Sequence, residues 1–272
     1  MMRIERRLGL TALAAAAITV SASSVLAQAP TTPKPARPAA PAAAPAGVPD
    51  RFRLVLNASF WPTKTSFSDS RTFTEYAEQT TIHTSYEAGT ALGPDVALQV
   101  SLFRGLGLMV GYSHASRDVT GHVDVSRPHP LYLNRHRSAS SEISGYGLTE
   151  GALHLDLAYA RAAGNLDWAL FAGATLFQIE ADLLDRPTND DVYPYDELAI
   201  TGTPKTVVKE SPTGFNVGGR LDYRFGRSRR LGAGVQALYS TASVELKAGQ
   251  DATEARFDAG GLQIGAGLRV YF

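Results

Sequence analysis

The chain contains no cysteine. That excludes disulfides, a cysteine-ligated metal and a lipid anchor on an N-terminal cysteine. It also lacks an excess of either charge: 26 basic side chains face 26 acidic ones. Residues 1–27 hold Arg3, Arg6, Arg7 and Glu5, so the remainder has 23 basic and 25 acidic side chains. Such a balance gives no support to nucleic-acid binding. Beyond residue 27 no apolar run is long enough for a membrane helix. Mean hydropathy is near zero, so a membrane crossing would have to come from strands whose two faces cancel.

What is present begins with an export segment. Arg3, Arg6 and Arg7 form a basic start, residues 8–26 are small and apolar, and Val25-Leu26-Ala27 is a small-residue cleavage site. Residues 1–27 are therefore expected to be a signal peptide, used for the general secretory route. Residues 28–50 hold seven of the fifteen prolines and many alanines. That composition buries no core, and a disordered, extended periplasmic linker is expected, with the cell wall a candidate partner.

From residue 51 a period of two takes over. At the end of the chain Leu262, Ile264, Ala266, Leu268, Val270 and Phe272 share one face, while Gly261, Gln263, Gly265, Gly267, Arg269 and Tyr271 share the other. Period two marks a strand, and one wholly apolar face suits a wall between lipid and a polar interior. The same alternation runs through 52–60, 96–102, 106–113, 153–159, 168–176, 215–225 and 231–239. Short connections fall near 104, 163 and 228, and long ones over 63–87, 119–144 and 182–212. Short turns on one side and long loops on the other are the rhythm of outer-membrane barrels. Residues 51–272 are expected to form an all-β, eight-stranded antiparallel up-and-down transmembrane β-barrel, with both its ends periplasmic. Closure removes sheet edges that a bilayer does not tolerate. Pro94 cannot donate a ladder hydrogen bond, so it is expected at a bulge or where the second strand leaves the membrane.

The inward faces carry Arg53, Arg220, Arg224 and Arg269 with Asp95, Glu150, Asp156, Asp167 and Asp222. Buried charges have to pair, and eight strands leave a tube about filled by its own side chains. A lumen plugged by ion pairs is the default; a narrow conduit, with room left by inward glycines, is the alternative. Aromatics fall at two levels: Phe52, Tyr159, Trp168, Phe225 and Phe272 on the turn side, Phe60, Tyr112, Phe215 and Tyr239 on the loop side. The outer loops carry Arg127, Arg135 and Arg137 in one and Asp182, Asp185, Asp190, Asp191, Asp196 and Glu197 in the next. These opposite charges either cap the barrel or bind lipopolysaccharide phosphates and cations. Five histidines lie in the outer half, at spacings that match no metal-ligand pattern; no metal or other cofactor is expected.

The signal, the eight alternating strands, the long–short rhythm and the terminal aromatic resemble the small OmpA-type or opacity-type outer-membrane barrels. The resemblance implies residence in the bacterial outer membrane among lipid and lipopolysaccharide. It also implies an assembly signal, read by the barrel-assembly machinery, in Ala266, Leu268, Val270 and Phe272. A non-enzymatic structural or surface-interaction role is expected, through envelope integrity, adhesion or loop-mediated binding. A small porin-like conduit is the second reading. The third rests on His114-Ala-Ser116 and His83-Thr-Ser85, which resemble the His-x-Ser pair of outer-membrane lipid A hydrolases, although the surrounding sequence does not.

Overall fold

The computed structural model describes residues 51–226, 228–247, 249 and 252–272; the signal peptide and linker expected over 1–50 lie outside them. The described chain is strand almost throughout: β1 (Phe52–Trp61), β2 (Thr65–Glu75), β3 (Glu78–Ala88), β4 (Ala91–Phe103), β5 (Leu106–Pro128), β6 (His136–Ala163), β7 (Leu166–Leu184), β8 (Thr188–Asp190), β9 (Ala199–Gly202), β10 (Lys205–Glu210), β11 (Thr213–Phe225), β12 (Leu231–Leu246) and β13 (Ala255–Tyr271). Eight of these close a ring. β1 pairs β4, and the ladder continues through β5, β6, β7, β11, β12 and β13, which pairs β1 again. Every junction is antiparallel. The closing seam runs from Arg53 opposite Tyr271 to Phe60 opposite Ile264. One residue further, the Phe272 N–H donates to the Phe52 carbonyl at 3.0 Å and the Phe52 N–H donates to the Phe272 carbonyl at 3.3 Å.

The three long connections are a correction to the loops expected there. Most of 63–87 is the β2–β3 hairpin, 119–144 is largely continued β5 and β6, and 182–212 contains β8, β9 and β10. β5, β6 and β7 run straight through from the ring into an extension above it. Where β4 ends beside β5, β3 takes its place, pairing β5 from Val119 to Ser126. Where β11 ends beside β7, β10 takes over, from Ile179 to Leu184. β2, β3, β5, β6, β7 and β10 thus form one curved sheet. The upper halves of β12 and β13 cover its open side, tied to β2 by the Thr253 N–H donating to the Ser70 carbonyl at 2.8 Å. Pro94 marks the handover: β4 pairs β5 only from Asp95 onward, while Pro94 itself stays opposite Ala58 of β1.

Apart from one bulge in β6 the period of two holds along these strands, but its polarity reverses. On β7, Leu166, Trp168, Leu170 and Leu176 point outward in the ring, followed by Gln178 and Glu180 in the extension. The inward positions run the other way, from Asp167 and Thr175 to Phe177, Ile179 and Leu183. β12 and β13 do the same: Val244, Leu246, Ala255 and Phe257 are buried above, and Gln236, Gln263 and Arg269 below. The ring therefore has an apolar outer belt and a polar interior. The extension has a polar outside and an apolar core built on Phe67, Ile82, Tyr86, Val123, Ile143 and Leu183 among others. A bulge in β6 keeps the inward face in phase across the change. Val119 faces Tyr146 but Gly121 faces Ile143, and the extra residue is absorbed beside Gly145, whose φ of 75° favours glycine.

Two tests follow from this architecture. Removing Phe272 deletes two backbone bonds of the closing seam, so the yield of heat-modifiable, folded protein is expected to fall. In the extension, Asp69 is buried, 3.5 Å from the Tyr86 hydroxyl. Burial pushes its carboxyl above the ordinary range, against hydrogen bonds from Thr84 and Tyr86 and the nearby Arg71. A raised acid favours folding when protonated, so this stability is present at low pH and is lost as pH rises through the folded value. Asp69→Asn is expected to raise the urea midpoint of the extension at about pH 7 and to flatten its fall above about pH 4, followed by near-ultraviolet circular dichroism.

Candidate functional site: a filled interior and an apolar apex

Inside the ring, alternation places charged residues from six strands in one tube. Asp222 (β11) is the centre. It accepts from Arg269 Nε at 2.6 Å and Arg53 Nη1 at 3.4 Å, and Arg220 Nε lies 3.3 Å away. Asp167 (β7) accepts from Arg224 Nε at 2.7 Å and Arg53 Nη2 at 3.0 Å. Tyr271 lies under two of these cations, 3.9 Å from the Arg224 guanidinium and 4.8 Å from that of Arg53. Six of the nine inward residues anticipated from sequence therefore meet in one network: Arg53, Arg220, Arg224, Arg269, Asp167 and Asp222.

The other three sit apart from it. Asp95 accepts amide hydrogens from Asn57 at 2.9 Å and Gln236 at 3.0 Å, and Asn57 links it onward by accepting from Arg269 at 2.7 Å. Asp156 accepts from Asn216 at 2.8 Å. Glu150 pairs higher up with Arg117 at 3.1 Å. Arg117 is the fifth interior cation, and the sequence reading missed it by ending the strand at Ser113. Continued alternation puts Ala115 and Arg117 on the same face as Met109 and Ser113, and all four are buried. Arg117 also donates to the Thr63 carbonyl at 3.1 Å and the Gly260 carbonyl at 3.4 Å. With Trp61, Ala91 and Ala115 packed together, it forms a waist between the polar ring interior and the apolar core above.

Several inward glycines give the network its space. A Cβ on Gly234 would lie 2.1 Å from Asp222 Oδ1, and one on Gly218 would lie 2.5 Å from the Phe171 ring. The room anticipated at these positions is thus occupied by Asp222 and Phe171.

At the far end, three segments are laced into one apex. Arg127 bonds Glu75 at 2.7 Å and Asp191 at 2.8 Å; Arg137 bonds Asp191 at 2.8 Å; Arg135 bonds Asp196 at 2.8 Å. The Asn134 N–H donates to Glu78 at 2.6 Å. The opposite charges of neighbouring loops therefore neutralise each other across the top. Above them Tyr76, Leu131, Tyr132, Leu133, Val192 and Tyr193 are exposed by 48–76%. The runs Leu131-Tyr-Leu133 and Val192-Tyr193 were the available signal for this patch, as apolar interruptions in segments otherwise read as polar loop.

The remaining candidates are dispersed. His83 Nδ1 lies 2.9 Å from Ser70 Oγ, His122 Nε2 lies 3.2 Å from Asp124, and Ser116 Oγ lies 3.5 Å from Thr149 Oγ1. Ser85 donates to the His122 carbonyl at 3.4 Å. Among the described residues neither Ser85 nor Ser116 hydrogen-bonds a histidine side chain, so the two His-x-Ser spacings do not assemble a nucleophile and base. Ala266, Leu268 and Val270 lie on the outward face of β13, and Phe272, one residue past its end, is exposed.

No family model matches the chain, and no curated protein matches it in sequence. Solved structures do. The outer membrane protein OprG from Pseudomonas aeruginosa aligns with a TM-score of 0.50 at 12% identity, over 83% of this chain and 98% of that one. Neisserial surface protein A aligns at 0.41 and 10% identity, over 81% and 97%. Ail, the attachment invasion locus protein of Yersinia pestis, solved with the heparin analogue sucrose octasulfate, aligns at 0.33 and 8%, over 80% and 99%. The OprG likeness is one of fold: a small outer-membrane β-barrel.

The network predicts unequal costs. Asp222→Ala leaves three guanidinium groups facing a lost carboxylate and is expected to cost about 3–5 kcal/mol. Asp156→Asn keeps a partner for Asn216 and is expected to cost within about 1 kcal/mol. Urea midpoints of the refolded proteins measure both; equal costs would contradict the central place of Asp222.

Proposed function

We propose that the chain is an integral barrel of the bacterial outer membrane, non-enzymatic and closed to solutes, that acts through contacts made by its apex. In this reading the belt of outward Leu, Val and Phe residues meets lipid, the short turns face the periplasm, and the extension stands outside the cell. Lipopolysaccharide surrounds the outer margin of the belt, and the barrel-assembly machinery reads the outward residues of β13.

The surface role rests on one observation: where exposed apolar side chains return. Outward positions of the extension are Ser, Thr, His and charged residues over most of its height. At the top Tyr76, Leu131, Tyr132, Leu133, Val192 and Tyr193 are exposed together on segments tied by ion pairs. An apolar patch held rigid and rimmed by charge is the composition of a protein-binding surface. The closed state is supported by three successive fillings along the axis: the ion-pair network, the Trp61 and Arg117–Glu150 waist, and the apolar core. A conduit would have to pass all three.

Planar bilayers containing the refolded protein are expected to show no reproducible open state. Cells displaying Leu131→Ser, Tyr132→Ser and Tyr193→Ser together are expected to lose several-fold in retention on a serum-coated surface, with heat-modifiable migration unchanged. Undiminished retention would overturn the apical role.

A further inference from the structure

The turn-side rim carries a second surface, opposite in character to the apex. Arg51, Arg104, Arg161, Arg229 and Arg230 are all exposed there. The turns that hold the last four, at 103–105, 161–165 and 226–230, contain no acidic residue, and Arg51 follows Asp50 directly before β1. Among the described residues no carboxylate pairs with any of the five. The extension differs: its exposed Lys64, Lys205, Lys209, Arg135 and Arg256 each lie within 3.1 Å of a carboxylate oxygen, and Lys247 is a single exposed cation outside these ion pairs. A cluster of uncompensated positive charge is therefore a property of the turn-side end.

These arginines stand on a stiff ring. The Ser101 N–H donates to the Arg51 carbonyl at 2.9 Å, Ala160 to Gly105 at 2.8 Å, Arg224 to Asn165 at 2.7 Å and Tyr271 to Arg230 at 2.9 Å. Each bond joins one turn, or the residue before β1, to the next strand, so the five arginines share one level around the wall. That level is also the aromatic one. The Arg104 guanidinium lies 4.9 Å from the Phe103 ring, and Arg161 Nε donates to the Tyr159 hydroxyl at 2.6 Å beside Trp168. Phe52, Phe225 and Phe272 are exposed nearby. Aromatics at the edge of an apolar belt mark headgroup depth. A guanidinium there meets phosphate oxygens, which it binds with paired donors.

We propose that this collar is a binding surface for the headgroup phosphates of anionic phospholipids on the turn side of the membrane. The proposal rests on the membrane reading given above. An acidic polymer of the aqueous side is the competing partner; the placement of Arg104 and Arg161 against the girdle, on the outward wall, favours lipid.

The test uses the full-length protein refolded in vesicles of equal phosphatidylcholine and phosphatidylglycerol, extracted in mild detergent, with retained lipids counted by native mass spectrometry. Phosphatidylglycerol is expected to be enriched in the retained shell. Enrichment should fall on the order of fivefold for each arginine removed in the series R104Q, R229Q and R230Q, and by less for R104K, which keeps the charge and loses the paired donors. Free inorganic phosphate at millimolar concentration should not displace the lipid. A folded wild-type protein retaining both lipids equally would overturn the proposal and leave the barrel reading standing. Binding of soluble polyglutamate without phosphatidylglycerol enrichment would reassign the collar and overturn it as well. Failure to acquire heat-modifiable strand structure in any vesicle would instead overturn the membrane reading. If the triple variant does not fold, R104Q alone supplies the comparison.

Discussion

The long strands of this protein obey one constraint: the outer face of each residue meets either oil or water, and the inner face has to complement that choice. β5, β6, β7, β12 and β13 cross from one environment to the other without a break. In the belt, outward Leu and Val leave polar side chains for the inside, where Asp222 and Asp167 collect arginines from three strands. In the extension the outside is polar, and the same alternation turns Phe, Ile, Leu and Val inward to a core that packs as in a soluble protein. Since a strand cannot change phase by itself, the change is made by composition, with a single bulge near Gly145 to preserve the pairing.

The boundary between the two regimes needs a layer that tolerates both. Arg117 and Glu150 supply it: each is buried, and they satisfy one another while Arg117 also takes up the Thr63 and Gly260 carbonyls. Trp61 packs beside them at the end of β1. Here too β1 and β4 leave the wall and the β2–β3 hairpin enters it. A handover of strands at the level where the solvent changes lets the wall be rebuilt with the opposite polarity. Among the described residues the interior carries packed side chains at each of these levels, and the two proposed surfaces, the apolar apex and the arginine collar, lie at opposite ends.

Much of the ring was legible in the chain. An apolar residue at every second position, for twelve residues up to Phe272, admits few meanings besides a strand against lipid, and the same pattern recurs at each of the eight ring strands. The inward set of Arg53, Asp167, Arg220, Asp222, Arg224 and Arg269 follows from parity alone, since period two assigns the face without any knowledge of neighbours. The extension was not legible in the same way. Its strands alternate just as regularly, but Ser, Thr and His on the outward face resemble loop composition, and the apolar partners Val119, Val123 and Val125 look sparse until the inward positions are read as the apolar ones. Arg117 was lost with them.

By itself the sequence determined the period, the faces and the count of ring strands, because these depend only on spacing along one chain. The tertiary structure alone decided who pairs with whom. Parity puts Asp95, Asp156 and Asp222 on the same inner wall, yet only Asp222 reaches three guanidinium groups, while Asp95 and Asp156 are met by amides. The height at which each inward residue sits is set by the register of its strand against two others, and no single stretch of sequence contains that register. The apex and the collar arise in the same way, from segments more than fifty residues apart brought to one level when the ring closes.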